Sequence, residues 1–121
     1  MAKIMVADDA AFVRLTLRQI LENAGHMVVA EAADGDEAYE LYRETKPDVI
    51  LMDITMPECT GIEGLKKIRQ FDPEAKCIIC SAMGQQTLVV EAMQCGARDF
   101  IVKPFRPERV LESISVVLGK K

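Results

Sequence analysis

The sequence lacks several features that would indicate common classes of function. No run of basic residues occurs in its 121 residues, and the net charge is −4 with a pI near 5.0, so nucleic acid and anionic membranes are poor partners. No apolar run approaches the roughly 20 residues of a membrane span, and nothing resembles a targeting signal. The GxxxxGK pattern of P-loop enzymes is absent as well. We therefore expect a cytoplasmic protein that binds neither nucleic acid nor membrane.

The chain also shows no linker, internal repeat or low-complexity segment. Hydrophobic residues make up 50% of the sequence and charged residues 28%, which is typical of a globular protein. A length of 121 residues suits one domain. We predict a single domain over residues 1–121.

Four cysteines invite a metal or disulfide interpretation, and Cys77 and Cys80 have the CxxC spacing. These two residues fall in an apolar segment that is typical of a buried strand. Positions three apart on a strand point to opposite faces, so their sulfurs cannot meet at one ion or in one disulfide. We interpret the cysteines as small buried hydrophobic residues.

Short apolar runs and longer segments of helical spacing alternate along the chain. The runs lack the alternation of a half-exposed strand, which predicts a parallel sheet covered on both faces. They lie at 3–7, 27–30, 48–52, 77–80 and 99–102. Right-handed crossovers then give an α/β fold, with a five-stranded open sheet and five helices on both faces.

The predicted helices are marked by apolar residues at a period of 3.6. Gly64 weakens the third helix, because glycine is a poor helix former. The apolar positions of the five helices are Val13, Leu17, Ile20, Leu21 and Ala24; Ala38, Leu41 and Tyr42; Leu65 and Ile68; Val89, Ala92 and Met93; and Val110, Ile114, Val117 and Leu118.

Polar side chains follow four of the five predicted strands. In an open α/β sheet the chemistry lies outside the carboxyl ends of the strands. The residues are Asp8 and Asp9 after the first strand, Asp53 after the third, Ser81 after the fourth and Lys103 after the fifth. Only the second strand ends without an obvious reagent. The sequence therefore predicts a site with three carboxylates, a hydroxyl and an ammonium group.

Three carboxylates in one crevice repel each other, at roughly 1 kcal/mol for a pair about 4 Å apart in water and about 4 at an effective dielectric of 20. Such a cluster is stabilised by protonation or by a cation, and few hard oxygen ligands suit Mg²⁺ better than Ca²⁺. With the positive charge of Lys103, the set forms an acceptor site for a phosphoryl group, in which one carboxylate attacks. Singly, each aspartate could be a helix cap and the lysine a solvated side chain. Their coincidence at four strand ends favours function.

The residues at these strand ends resemble the receiver domains of bacterial two-component response regulators. The resemblance covers about Lys3 to Leu118, and it is specific because the pieces occur in this order and spacing. It implies a flavodoxin-like fold with strand order 2-1-3-4-5. Residues 81–86 are similar to the stand-alone chemotaxis regulators of this family. The matching pieces are Asp8-Asp9, Ile50 to Pro57 with Gly61, Ser81-Ala82, and Phe100 to Phe105.

The resemblance implies a role for each acidic residue. Asp53 would accept a phosphoryl group from a histidine kinase or a small phosphodonor. Asp8 and Asp9 would hold Mg²⁺ together with Asp53, and the backbone carbonyl of Thr55 would complete the protein ligands.

The resemblance also implies a switch. Lys103 and Ser81 would contact the phosphoryl oxygens, and the bond from Ser81 would pull the following loop toward the site. Phe100 would then turn inward and alter the surface of the fourth helix, fifth strand and fifth helix. Serine replaces the commoner threonine but keeps the hydroxyl, and phenylalanine replaces the tyrosine of some relatives. A cis bond between Lys103 and Pro104 is also implied.

The partners implied are a histidine kinase, a phosphatase and the flagellar switch protein, and we expect a monomer that is no enzyme toward foreign substrates. A non-chemotactic phosphorelay receiver is the alternative within the family. A small aspartyl-phosphate hydrolase is a further alternative, but those enzymes carry a second aspartate where this chain has Thr55. A flavodoxin-type binder would need a hydroxyl-rich loop after the first strand, where this chain has two aspartates.

Overall fold

Strand and helix alternate five times in the computed structural model, which describes residues 1–119. The strands are β1 (Lys3–Ala7), β2 (Met27–Ala32), β3 (Val49–Asp53), β4 (Cys77–Ser81) and β5 (Asp99–Val102). The helices are α1 (Ala11–Asn23), α2 (Gly35–Thr45), α3 (Gly61–Phe71), α4 (Gln86–Gln94) and α5 (Pro107–Val117). Every predicted strand and helix is present, and most of their ends differ from the predicted ends by a few residues.

The five strands form one parallel sheet in the order β2-β1-β3-β4-β5, which confirms the predicted fold class. The register aligns the carboxyl ends of the central strands. Ala7 lies opposite Met52, Asp53 lies opposite Cys80, and Ser81 lies opposite Val102 on β5. Residues that follow β1, β3, β4 and β5 therefore emerge at the same edge of the sheet.

Two apolar layers cover the sheet. Helices α2, α3 and α4 pack on one face, and α1 and α5 pack on the other. Cys77 belongs to the first layer and Cys80 to the second, so the prediction that their side chains point to opposite faces is confirmed. Cys59 is buried as well, whereas Cys95 is only half-buried. The interpretation as buried hydrophobic residues therefore holds for three of the four.

Helix α3 has a capped N-terminus and a glycine at its contact with α2. The Thr60 side chain accepts a hydrogen bond from the Glu63 N–H, while the Glu63 side chain accepts one from the Thr60 N–H, a capping box that satisfies two free donors. A Cβ added to Gly64 would lie 2.8 Å from the Gly35 Cα. Gly64 thus lets α3 lie against the start of α2, and its low helix propensity is offset by this close packing.

The prediction for α4 was wrong at one position. Ala92 is fully buried, but Met93 is 38% exposed and does not belong to the core. Helix α4 has only nine residues and packs on β4 and α3, and the stripe it buries is narrow. Among residues 1–119, no helix has both the length and the apolar character needed to cross a membrane.

Candidate functional site

Three carboxylates meet at the carboxyl ends of β1 and β3. Asp8, Asp9 and Asp53 each place one ligand oxygen within 4.8 Å of the others. Asp8 and Asp53 are buried, whereas Asp9 is exposed to solvent. The structure therefore brings the predicted acidic residues together, with two of them buried and the third facing solvent.

Asp8 is held on several sides. Its Oδ1 accepts a hydrogen bond from the Ala10 N–H at 2.9 Å, and its Oδ2 accepts one from the Lys103 Nζ at 3.0 Å. Its own backbone N–H donates to the Ala32 carbonyl on β2 at 2.9 Å. The side chain and backbone of Asp8 are thus fixed relative to both β2 and the loop after β5.

Lys103 lies between two carboxylates of the cluster. Its Nζ is 3.0 Å from Asp8 Oδ2 and 3.4 Å from Asp53 Oδ1. Burial would lower the pKa of Lys103, but the hydrogen bond to Asp8 and the charge of Asp53 outweigh it and raise the pKa. The ammonium group therefore stays charged. The Lys103–Pro104 bond is cis, as the family resemblance implies.

The environment of Asp53 disfavours its ionised form. Burial raises the pKa of Asp53 to about 6, the charge of Asp8 adds to the effect, and Lys103 opposes it. Three carboxylates and one ammonium group leave two negative charges in excess when all are ionised. Hard carboxylate oxygens with an open, solvated side are the ligands that Mg²⁺ prefers. The donor set therefore fits a magnesium ion held by Asp8, Asp9 and Asp53.

The loop after β3 packs tightly against the backbone of Asp53. A Cβ at Gly61 would lie 2.0 Å from the Asp53 carbonyl oxygen, so any larger residue there would displace the loop. The Gly61 N–H donates to the Ile54 carbonyl at 3.0 Å. Thr55 lies in this loop two residues after Asp53 and is exposed. Its role as a carbonyl ligand stays a prediction.

Ser81 and Phe100 both line one apolar groove. Ser81 is buried at the end of β4, one residue beyond the partner of Asp53 in the sheet register, while Phe100 is 39% exposed on β5. Both line a cavity of about 690 Å³. The groove therefore begins beside the acidic site and runs along α4 to the surface. Its other lining residues are Ala82, Met83, Gly84, Gln85, Gln86, Val89, Val90, Met93, Gln94 and Val102.

One contact to the site comes from residues for which the sequence analysis made no prediction. The Arg14 Nη1 donates to the backbone carbonyl of Asp8 at 2.6 Å, and its Nε donates to Glu31 Oε1 at 3.2 Å. Glu31 lies on β2, the strand that ends without a reagent of its own, and it is connected to the site through Arg14. The spacing of Arg14 and Arg18, one helical turn apart, was the available signal for a charged face against β2.

Comparisons with known proteins identify the family. The response regulator receiver domain model matches residues 4–115. The chain belongs to this family. The aspartates that carried the sequence resemblance lie at the strand ends, and the fold that the resemblance implied is present. Proteins of this family act in two-component signalling.

The relatives with the highest similarity include chemotaxis proteins. The chemotaxis protein CheY of Thermotoga maritima is 54% identical over 115 residues, which are 95% of this chain and 96% of that protein. CheY of Bacillus subtilis is 54% identical over 117 residues, 97% of this chain and 98% of that protein. This receiver domain is therefore closely related to CheY.

A solved structure supports the same relationship. The CheX-CheY-BeF3-Mg²⁺ complex from Borrelia burgdorferi matches with a TM-score of 0.90 at 37% identity, covering 95% of this chain and 87% of that one. Beryllium fluoride and magnesium are components of that complex. The acidic cluster of the present chain offers carboxylate oxygens, which are the ligands that magnesium prefers.

Proposed function

We propose that this chain is a stand-alone response regulator of chemotaxis that accepts a phosphoryl group on Asp53 from a histidine kinase. One observation carries the proposal. A buried carboxylate ends a central strand, with two further carboxylates within 4.8 Å and an ammonium group 3.4 Å away. The similarity to CheY supports chemotaxis as the setting. The proposal places the protein in the cytoplasm as a single domain that acts as a monomer.

Asp8, Asp9 and Asp53 would hold Mg²⁺, and the carbonyl of Thr55 is proposed as a further ligand. Magnesium bound there neutralises charge on the transferring phosphoryl oxygens. The chain's own contribution is to hold the carboxylates in place before phosphorylation. Burial of Asp8 and Asp53 keeps these two ligands from moving freely in water, and the exposure of Asp9 leaves room for solvent and substrate.

The reaction is a displacement at phosphorus. A carboxylate oxygen of Asp53 attacks the phosphorus of a phosphohistidine, the N–P bond breaks, and its electron pair returns to the imidazole nitrogen. The product is an acyl phosphate on Asp53. Lys103, whose Nζ already lies 3.4 Å from Asp53 Oδ1, is close enough to offset negative charge on the attached phosphoryl oxygens. The only catalysis proposed is of the protein's own phosphorylation and dephosphorylation.

The output would pass through the apolar groove. The Ser81 hydroxyl is proposed to bond a phosphoryl oxygen and pull the loop after β4 toward Asp53. That movement reshapes the groove that Ser81 shares with Phe100, and Phe100 would turn inward. The proposed partner at this surface is the flagellar switch protein, and a phosphatase would return the protein to its resting state.

The test is a titration of a peptide from the flagellar switch protein, with and without Mg²⁺ and beryllofluoride as a phosphoryl mimic. We expect tighter binding only with both, and no such change in Asp53→Asn, whose amide cannot act as the acceptor. Equal binding in all states would contradict a phosphorylation switch. Absence of binding in every state would contradict the motor output and favour a phosphorelay instead.

A further inference from the structure

An arginine on α1 connects the acidic site to the edge strand β2. The Arg14 guanidinium uses one nitrogen, Nη1, for the backbone carbonyl of Asp8 at 2.6 Å and another, Nε, for Glu31 Oε1 at 3.2 Å. The side chains of Arg14 and Glu31 are 21% and 30% exposed. Because the guanidinium is planar, its two contacts fix its orientation and not only its position.

Glu31 is itself held from the other side. Arg18 donates from Nε at 2.8 Å and from Nη2 at 2.5 Å to Glu31 Oε2, and its Nη1 reaches Glu22 at 2.9 Å. These hydrogen bonds, led by that from Arg18, lower the pKa of Glu31 despite its partial burial. A charged Glu31 is therefore held in place against Arg14.

The backbone of Asp8 is consequently fixed through both of its polar groups. Its N–H donates to the Ala32 carbonyl at 2.9 Å, and its C=O accepts from Arg14, which is oriented by the residue next to Ala32. The Asp8 side chain then accepts from the Ala10 N–H at 2.9 Å. The turn that carries the proposed ligands Asp8 and Asp9 is thus joined to β2 by two independent links.

We propose that Arg14, oriented by Glu31, is a positioning residue for the Mg²⁺ site. It touches neither metal nor phosphoryl group, and it acts by holding the Asp8 backbone so that the carboxylates of Asp8 and Asp9 face Asp53 before the ion arrives. Ligands ordered in advance lose less conformational freedom on binding, which raises affinity. This inference rests on the proposed function, because it assumes that the cluster binds magnesium.

Charge and geometry make opposite predictions for Arg14. The guanidinium is a cation near a cation site, so by charge alone its removal would strengthen Mg²⁺ binding. If Arg14 positions the ligand turn, its removal weakens binding. The sign of the change in affinity therefore separates a positioning role from an electrostatic one.

The experiment measures Mg²⁺ affinity of the full chain by isothermal titration calorimetry. We expect Arg14→Gln to weaken binding about ten-fold, at the low end of the changes seen for partners of metal ligands. Arg43→Gln is the matched control, since it removes the same charge from an exposed position on α2 and has no contact to Asp8 or Glu31. We expect it to change affinity by less than about three-fold. An Arg14→Gln protein that binds as well as or better than wild type, or two variants that weaken equally, would overturn the proposal.

Arg14→Lys serves as a second variant if the glutamine variant fails to fold. Lysine keeps the charge and the aliphatic stem but cannot reproduce the planar fork. We expect several-fold weaker binding, and wild-type affinity for this variant would refute the positioning role.

A metal-free measurement separates this inference from the proposed function. The exchange rate of the Ala10 amide, followed by NMR without Mg²⁺, reports how firmly the Asp8 side chain is held, because this amide donates to Asp8 Oδ1. We expect faster exchange in Arg14→Gln than in wild type or Arg43→Gln. An unchanged rate contradicts the inference whether or not the protein binds metal. Failure of wild type to bind Mg²⁺ would instead refute the proposed function.

Discussion

Replacement of Asp53 by asparagine should stabilise the metal-free protein. Burial and the charge of Asp8 raise the pKa of Asp53 from an ordinary 3.8 to about 6. Because the folded-state pKa lies above the unfolded one, the ionised carboxylate destabilises the fold, and a shift of about two pKa units corresponds to about 3 kcal/mol at high pH. Loss of the contact to Lys103 offsets part of this gain. We expect Asp53→Asn to increase the free energy of unfolding by about 1 to 3 kcal/mol near pH 7.

The dependence on pH gives the prediction a second test. The penalty on ionised Asp53 is complete above the folded-state pKa of about 6 and disappears as the pH falls toward 3.8. The advantage of the asparagine variant should therefore shrink to about half near pH 5. Saturating Mg²⁺ should also reduce it, because an ion held by three carboxylates would stabilise the wild-type site more than a site with two.

Urea unfolding followed by circular dichroism, with a chelator present, measures these differences. Glu44→Gln is a matched control, since it removes one negative charge from an exposed position on α2, and it should change stability by less than about 0.5 kcal/mol. An Asp53→Asn protein no more stable than wild type near pH 7 would refute the reasoning. A gain that stays constant between pH 7 and pH 5 would show that titration of Asp53 is not its cause.

Three further predictions concern metal binding, the switch and the core. Mg²⁺ affinity measured by calorimetry should fall as the pH drops below about 6, because a proton on Asp53 competes with the ion, and a constant affinity down to pH 5 would contradict this. Lys103→Ala should fold normally but lose the tightening of switch-peptide binding by beryllofluoride, whereas a wild-type response would remove Lys103 from the mechanism. Tyr42→Phe should lower the free energy of unfolding by about 1 to 2 kcal/mol, because Tyr42 Oη donates to Asp72 at 2.5 Å. Unchanged urea unfolding would show that this bond contributes nothing.

The layout of the sheet was predictable because buried parallel strands leave a direct trace in the sequence. The run at 48–52 has no polar residue between Asp48 and Asp53, so both the strand and its functional end could be placed. The same reasoning placed Asp8 and Asp9, since consecutive aspartates after an apolar run are conspicuous. The strand order itself came from the family resemblance and not from periodicity.

Other features depend on contacts that no local pattern reveals. Met93 repeats at helical spacing, yet it lies at the surface because the short helix α4 buries only a narrow stripe around Ala92 against β4 and α3. In the sequence, Gly64 indicates a weak helix, and only the structure shows that it leaves room for the start of α2. The contact from Arg14 to the Asp8 carbonyl joins a side chain to a backbone atom, and a backbone acceptor carries no signature in the sequence.

The position of Asp53 within the sheet has a consequence for local opening. Asp53 ends β3, which is hydrogen-bonded to strands on both sides, whereas β5 has four residues and one neighbour in the sheet. Edge segments open with less free energy than central ones. Amides of β5 should therefore exchange with solvent through small fluctuations that leave β3 closed. The proposed partner surface, which includes β5, can thus open locally and close again without exposing the Asp53 carboxylate that would be phosphorylated.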